Sequence, residues 1–146
     1  NKGKTKKKRI AINPTEVLDF SENKEAINFL EKKSAYLYEN LMPHVQNTFD
    51  RITLVNKEKT ERLTIDFNLK FENYQTSLNQ DVIGLMIIEL KQDGLQHSYF
   101  KDYLFDLRIK PKSISKYCLG TMLTNKDVKT NRFKKKLMHI NKIINH

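Results

Sequence analysis

Long charged side chains recur at alternate positions in four separate stretches of this 146-residue chain. Lys7 and Arg9 stand two apart near the start, Arg51 lies in a polar–apolar alternation, Arg62 opens a cleaner one, and Glu89 and Lys91 close a fourth. In an extended strand, residues two apart point to the same face, so each stretch delivers its charges to one side of a sheet. If such faces curve toward each other, they form a basic channel containing a few carboxylates. That channel suits a polyphosphate ligand, because guanidinium forks match phosphate oxygens two at a time and lysines add point charges. Glu89 among these bases would repel phosphate unless a divalent cation lay between them, which points to Mg²⁺ or Mn²⁺. No P-loop sequence is present, so side chains, not a glycine cradle, would hold the phosphates. The plainer reading of the same residues is an ordinary solvated sheet face, and alternation alone leaves both readings open.

Other constellations offer less. His44, His97, His139 and His146 lack metal-ligand spacing. Cys118 has no local signature of a nucleophile and reads as a buried structural thiol. Ser115 has no nucleophile elbow around it.

The elements that must position these charges follow from periodicity. Residues 4–12 read as a strand stopped by Asn13-Pro14, after which Thr15 can cap a helix with Glu16 in its first turn. Residues 21–41 have helical spacing, as two helices or one bent helix. Residues 49–55 and 61–71 form a strand pair across the polar turn 56–60. In the second strand Leu63, Ile65, Phe67, Leu69 and Phe71 share one face, while Arg62, Thr64, Asp66, Asn68 and Lys70 share the other. A loop over 73–81 leads to a fourth strand over 82–91. Helices are predicted over 97–107, 116–123 and 131–145, the last of them basic. The order of elements implies an α+β fold, an antiparallel sheet with flanking helices.

Composition narrows the class. Apolar residues make up 38% and charged residues 30%, which suits one globular domain over 1–146. The apolar run 83–88, which includes Gly84, is far short of the about 20 residues needed to cross a bilayer, and no signal peptide is visible. A single cysteine fits a reducing, cytoplasmic setting. The net charge of +10 is concentrated at the ends. Residues 1–9 hold six Lys/Arg and no acid, and residues 125–146 hold seven with one acid. Basic ends suit a polyanion: nucleic acid, acidic lipid or a phosphate chain. Phe133 is the only aromatic residue in these ends, which weakens a single-stranded nucleic-acid reading. The opening Asn1-Lys2, without Met, reads as a segment of a longer protein.

The runs 61–68 (ERLTIDFN), 87–91 (IIELK) and 115–120 (SKYCLG), with the basic opening 3–9 and the closing 131–134 (NRFK), together resemble the VTC (vacuolar transporter chaperone) domain in its bacterial form. The resemblance covers nearly the whole chain. It implies a polyphosphate polymerase domain of the triphosphate tunnel metalloenzyme group. Such a domain has antiparallel strands closing into a tunnel-like barrel and transfers the γ-phosphate of ATP onto a growing polyphosphate chain. Carried onto this sequence, it implies phosphate contacts from Arg51, Arg62, Ser115 and Lys116, a basic tunnel strand bearing Lys7 and Arg9, a nearby Lys91, and Mg²⁺ or Mn²⁺ on Glu89. No protein nucleophile is implied. Two departures accompany it: the family's first tunnel strands lie upstream of this chain, and Phe49 stands where members can carry a tyrosine. The former implies N-terminal strands missing from this chain, and with them activity. A non-catalytic polyphosphate-binding module and a nucleic-acid-binding domain stand as alternatives, and a membrane partner is not legible in the sequence.

Overall fold

The computed structural model of the chain describes residues 7–94 and 97–144. They fall into two compact units, Asn1–Pro43 and His44–His146.

In the first unit, residues 7–12 carry no regular secondary structure, in place of the expected strand. A strand needs a partner for its backbone groups, and no described residue pairs with these. The rest of that expected strand, residues 4–6, lies outside the described residues. Asn13, not Thr15, is the first cap: its side chain accepts a hydrogen bond from the Thr15 backbone N–H at the 3₁₀ turn Pro14–Glu16. Asn13 can do this because the following proline has no N–H to satisfy and presets φ for the turn. The helix α1, Lys24–Lys33, is capped by Asn23, whose Oδ1 accepts from the Ala26 N–H at 3.0 Å. Lys32 and Lys33 close it where the helix dipole favours cations. A 3₁₀ turn, Tyr38–Asn40, completes the unit.

The second unit is α+β. Its strands are β1 (Val45–Val55), β2 (Glu61–Asn73), β3 (Asn79–Val82) and β4 (Ile87–Gln92). β2 is the centre of an open antiparallel sheet, with β1 on one side and both β3 and β4 on the other. These strands do not close into a barrel. The β1–β2 turn is held by Asn56, whose Oδ1 accepts from the Glu61 N–H at 2.8 Å, with Lys59 in the left-handed region. Helices α2 (Tyr99–Asp106), α3 (Lys116–Thr124) and α4 (Lys134–Ile144) follow. Most of β3 falls within the expected loop over 73–81, and a turn at residues 83–84 precedes β4. Asn145, the expected end of the last helix, lies outside the described residues.

The alternation expected along β2 does not run unbroken. Thr48 pairs with Lys70 but Asp50 pairs with Phe67, so Phe49 faces two residues of β2. This is a β-bulge, and Asn68 takes its left-handed position at φ 52°. Asparagine tolerates that conformation better than other side chains bearing a Cβ. The extra residue shifts the parity by one. Asp66 therefore joins the face of Leu69, Phe71 and Asn73, instead of opposing it, and all four are at most 1% exposed.

Helix α3 lies on that face. Leu119 joins Leu69, Phe71, Val82, Leu85 and Ile140 in the buried core. Asn73 donates to the Thr124 hydroxyl at 3.1 Å, and Thr124 donates back to the Gly120 carbonyl at 2.7 Å. Gly120 is where helix and sheet come closest. A Cβ there would meet Phe71 Cδ1 at 2.5 Å and Val45 Cγ1 at 2.9 Å. Because the Phe71 ring is fully buried it cannot swing aside, so Gly120→Ala should destabilise the protein by about 1–3 kcal/mol. A lowered urea midpoint checks this, and an unchanged one contradicts the close packing.

Candidate functional site

The hairpin turn sets the register that builds the site. Arg51 lies opposite Asp66, Thr53 opposite Thr64 and Val55 opposite Arg62. On the other side of β2, Glu89 lies opposite Thr64 and Lys91 opposite Arg62. Residues directly opposite in an antiparallel pair share a face. Arg51, Arg62, Asp66, Glu89 and Lys91 are thus on one face of three adjacent strands.

α3 brings the remaining cation. Ser115 is its N-cap, accepting from the Cys118 N–H at 3.3 Å. Lys116 is the first helical residue, and its ammonium bonds Asp66 Oδ2. Arg51 donates from Nε to Asp66 Oδ1 at 2.5 Å and from Nη2 to Oδ2 at 2.8 Å. One buried carboxylate therefore holds two cations from different elements. The Arg51 hydrogen bonds keep the Asp66 carboxyl below the usual carboxylate range; burial opposes this, and Lys116 adds to it. The Phe49 ring lies beside both cations, its centroid 5.0 Å from the Arg51 guanidinium carbon and 4.2 Å from Lys116 Nζ. Both are within cation–π range.

The other charges are exposed. Glu89 and Lys91 pair with each other at 3.2 Å, each side chain about half accessible. Arg62 is exposed and makes no ion pair with a described residue. A concavity of about 530 Å³ lies beside the bulge, lined by Thr48, Phe49, Asp50, Asn68, Lys70 and Asp81 among others, but Arg62 and Glu89 do not line it. Among the described residues the charged face is an open surface.

Of the residues singled out in the sequence, Arg51, Arg62, Glu89 and Lys91 share one face of the sheet, Lys116 meets Arg51 there through Asp66, and Ser115 begins the helix that carries Lys116. Ser115 Oγ already serves as a cap. Lys7 and Arg9 lie in the first unit, exposed and outside any strand. Cys118 is half-buried, not buried. Asp66 sits at the heart of the site although its alternation places it among solvent-side residues, and Phe49, expected only where members can carry a tyrosine, flanks both cations. The turn over 56–60 held the signal for Asp66, because the register that pairs Val55 with Arg62 necessarily pairs Arg51 with Asp66.

Divalent metal can be tested against these donors. No group of three or more His, Cys, Asp or Glu able to hold a metal ion occurs among the described residues. Mg²⁺ needs no such cage, since it is commonly held by one or two carboxylates with waters and substrate phosphates. Glu89, exposed on the cationic face, fits that mode.

The depressed Asp66 pKa gives a pH dependence with a definite sign. A carboxyl whose folded value lies below its unfolded value contributes stability that is present above about pH 3.9 and is lost as pH falls through the folded value. The urea midpoint should therefore drop below about pH 4, and Asp66→Asn should flatten that part of the curve. Parallel curves for the two proteins would contradict the pairing.

One comparison with known proteins identifies a family. The VTC domain matches residues 1–125. No curated protein and no solved structure matches the chain. No helix among the described residues is long and apolar enough to cross a membrane. With most of its length matched, the charged face included, the chain belongs to the VTC domain family, whose function is polyphosphate-related.

Proposed function

We propose that this domain binds the phosphates of ATP and of inorganic polyphosphate on the charged face, and that the full-length protein transfers the γ-phosphoryl group of ATP to the chain end. The observation that carries this reading is the arrival of Arg51, Arg62, Lys91 and Lys116 on one face beside Glu89. Four cations drawn from three strands and a helix offset the charge of a triphosphate better than any one element could. Arg62 is free to close on a phosphate as a two-pronged donor. Arg51 and Lys116, already oriented, would meet phosphate oxygens from the side of α3. In the transfer, a terminal oxygen of the polyphosphate chain bonds to the γ-phosphorus as the bond to the ADP oxygen breaks, so the chain gains one phosphate and ADP leaves. The protein's part is positioning and electrostatic stabilisation. Mg²⁺ or Mn²⁺ held by Glu89, when bound, supplies further charge neutralisation at the phosphates.

A binding-only role is the second reading. The Glu89–Lys91 pair and the lack of companion ligands among the described residues favour it.

The full-length protein incubated with ATP and Mn²⁺ should release ADP and form acid-labile polymer. If neither appears while polyphosphate is retained, and Glu89→Ala leaves that retention unchanged, the binding-only reading replaces the polymerase. Arg62→Ala should weaken inorganic tripolyphosphate binding about ten- to a hundredfold with little change in the melting temperature. Arg62→Lys should recover only part, since the charge survives and the fork is lost. Equal affinity for wild type and Arg62→Ala by calorimetry would remove Arg62 from the site.

A further inference from the structure

We infer that Asp66 is a positioning residue for the anion site: its buried carboxylate fixes the Arg51 guanidinium and the Lys116 ammonium so that their remaining N–H groups face the ligand. This rests on the reading that phosphate binds the charged face.

Burial runs in one direction through the cluster. The Asp66 side chain is 2% accessible, that of Lys116 21% and that of Arg51 42%. The carboxylate is the floor, and the cations lie between it and solvent. Asp66 uses two of the five guanidinium N–H groups and one of the three ammonium N–H groups, so three and two stay available. The grip on Arg51 is two-pronged through Nε and Nη2, which fixes the guanidinium plane and leaves Nη1 wholly unspent. The Phe49 ring restricts the same two heads from a second side.

A site selected for positive charge alone would not carry this carboxylate, which lowers its net charge by one. A site selected for stability alone would do as well with apolar residues, because a buried ion pair is often no better than a hydrophobic replacement. Orientation explains what neither does. Long cationic side chains lose rotamer freedom when they bind, and a carboxylate that orders them in the folded protein removes that loss from the binding step. The bulge makes the placement possible, because it turns Asp66 onto the same face as the residues under α3.

Charge and orientation predict opposite signs, and calorimetry with inorganic tripolyphosphate on the full-length protein separates them. Asp66→Asn removes a negative charge, so electrostatics alone would tighten binding. Positioning predicts that it weakens binding about tenfold or more. Asp66→Glu keeps the charge but displaces it by one methylene, and it too should weaken binding; this variant serves if Asp66→Asn fails to fold. In the Arg51→Ala background, either change should cost clearly less than in wild type, because one of the two groups being positioned is gone. Affinity equal to or tighter than wild type in the folded variants, or losses that simply multiply with Arg51→Ala, would overturn the assignment. Loss of binding in Arg62→Ala reports on the site itself and not on Asp66, so the two claims fail separately. A wild type that does not bind tripolyphosphate removes both.

Discussion

One extra residue in β2 decides which side chains meet. Between the Thr48–Lys70 and Asp50–Phe67 pairs the central strand has one residue more than its partner, and Asn68 absorbs it in a left-handed conformation. Without that step, Asp66 would share a face with Asn68 and Lys70, and Arg51 would stand apart from Phe71. With it, the face that is apolar at Leu69 and Phe71 becomes polar at Thr64 and ionic at Asp66 without a change of side. A helix can then pack by ordinary hydrophobic burial at one end and deliver a lysine to a charged cluster at the other.

α3 uses both halves of that face. Its C-terminal half is seated by Gly120 against Phe71 and by the Thr124–Asn73 hydrogen bond. Its first turn, capped by Ser115, points Lys116 at Asp66. The core contact sets the height of the helix over the sheet, and that height lets Lys116 reach the carboxylate. Packing and site are therefore coupled through one nine-residue helix. The half of the face bearing Arg62, Glu89 and Lys91 is exposed.

Much of this was legible in the sequence, for physical reasons that can be named. The hairpin was, because a polar turn between two alternating runs allows few registers. So was α3, nearly to the residue, because Ser115 is a good cap and the apolar spacing behind it is helical. The strand over 82–91 was partly mistaken, because a continuous apolar run hides the turn at Gly84. β3 was missed because a four-residue strand rich in polar side chains resembles a loop. The strand expected over 4–12 rests on alternation, which says nothing about whether a partner exists. The bulge was invisible to a period-two reading, which carries parity straight through Asn68. That reading puts Asp66 among solvent-facing residues, whereas it is the most buried carboxylate of the site.

Arginine side-chain NMR of the full-length protein, following the Nε–H signals of Arg51, Arg62, Arg108 and Arg132 during titration with inorganic tripolyphosphate, tests the central claim most directly. If the bulged face is the anion site, the signals of Arg51 and Arg62 should shift together and saturate at the same ligand concentration. Arg108 and Arg132 should stay in place. Shifts confined to Arg108 or Arg132, with Arg51 and Arg62 unmoved, would contradict the account.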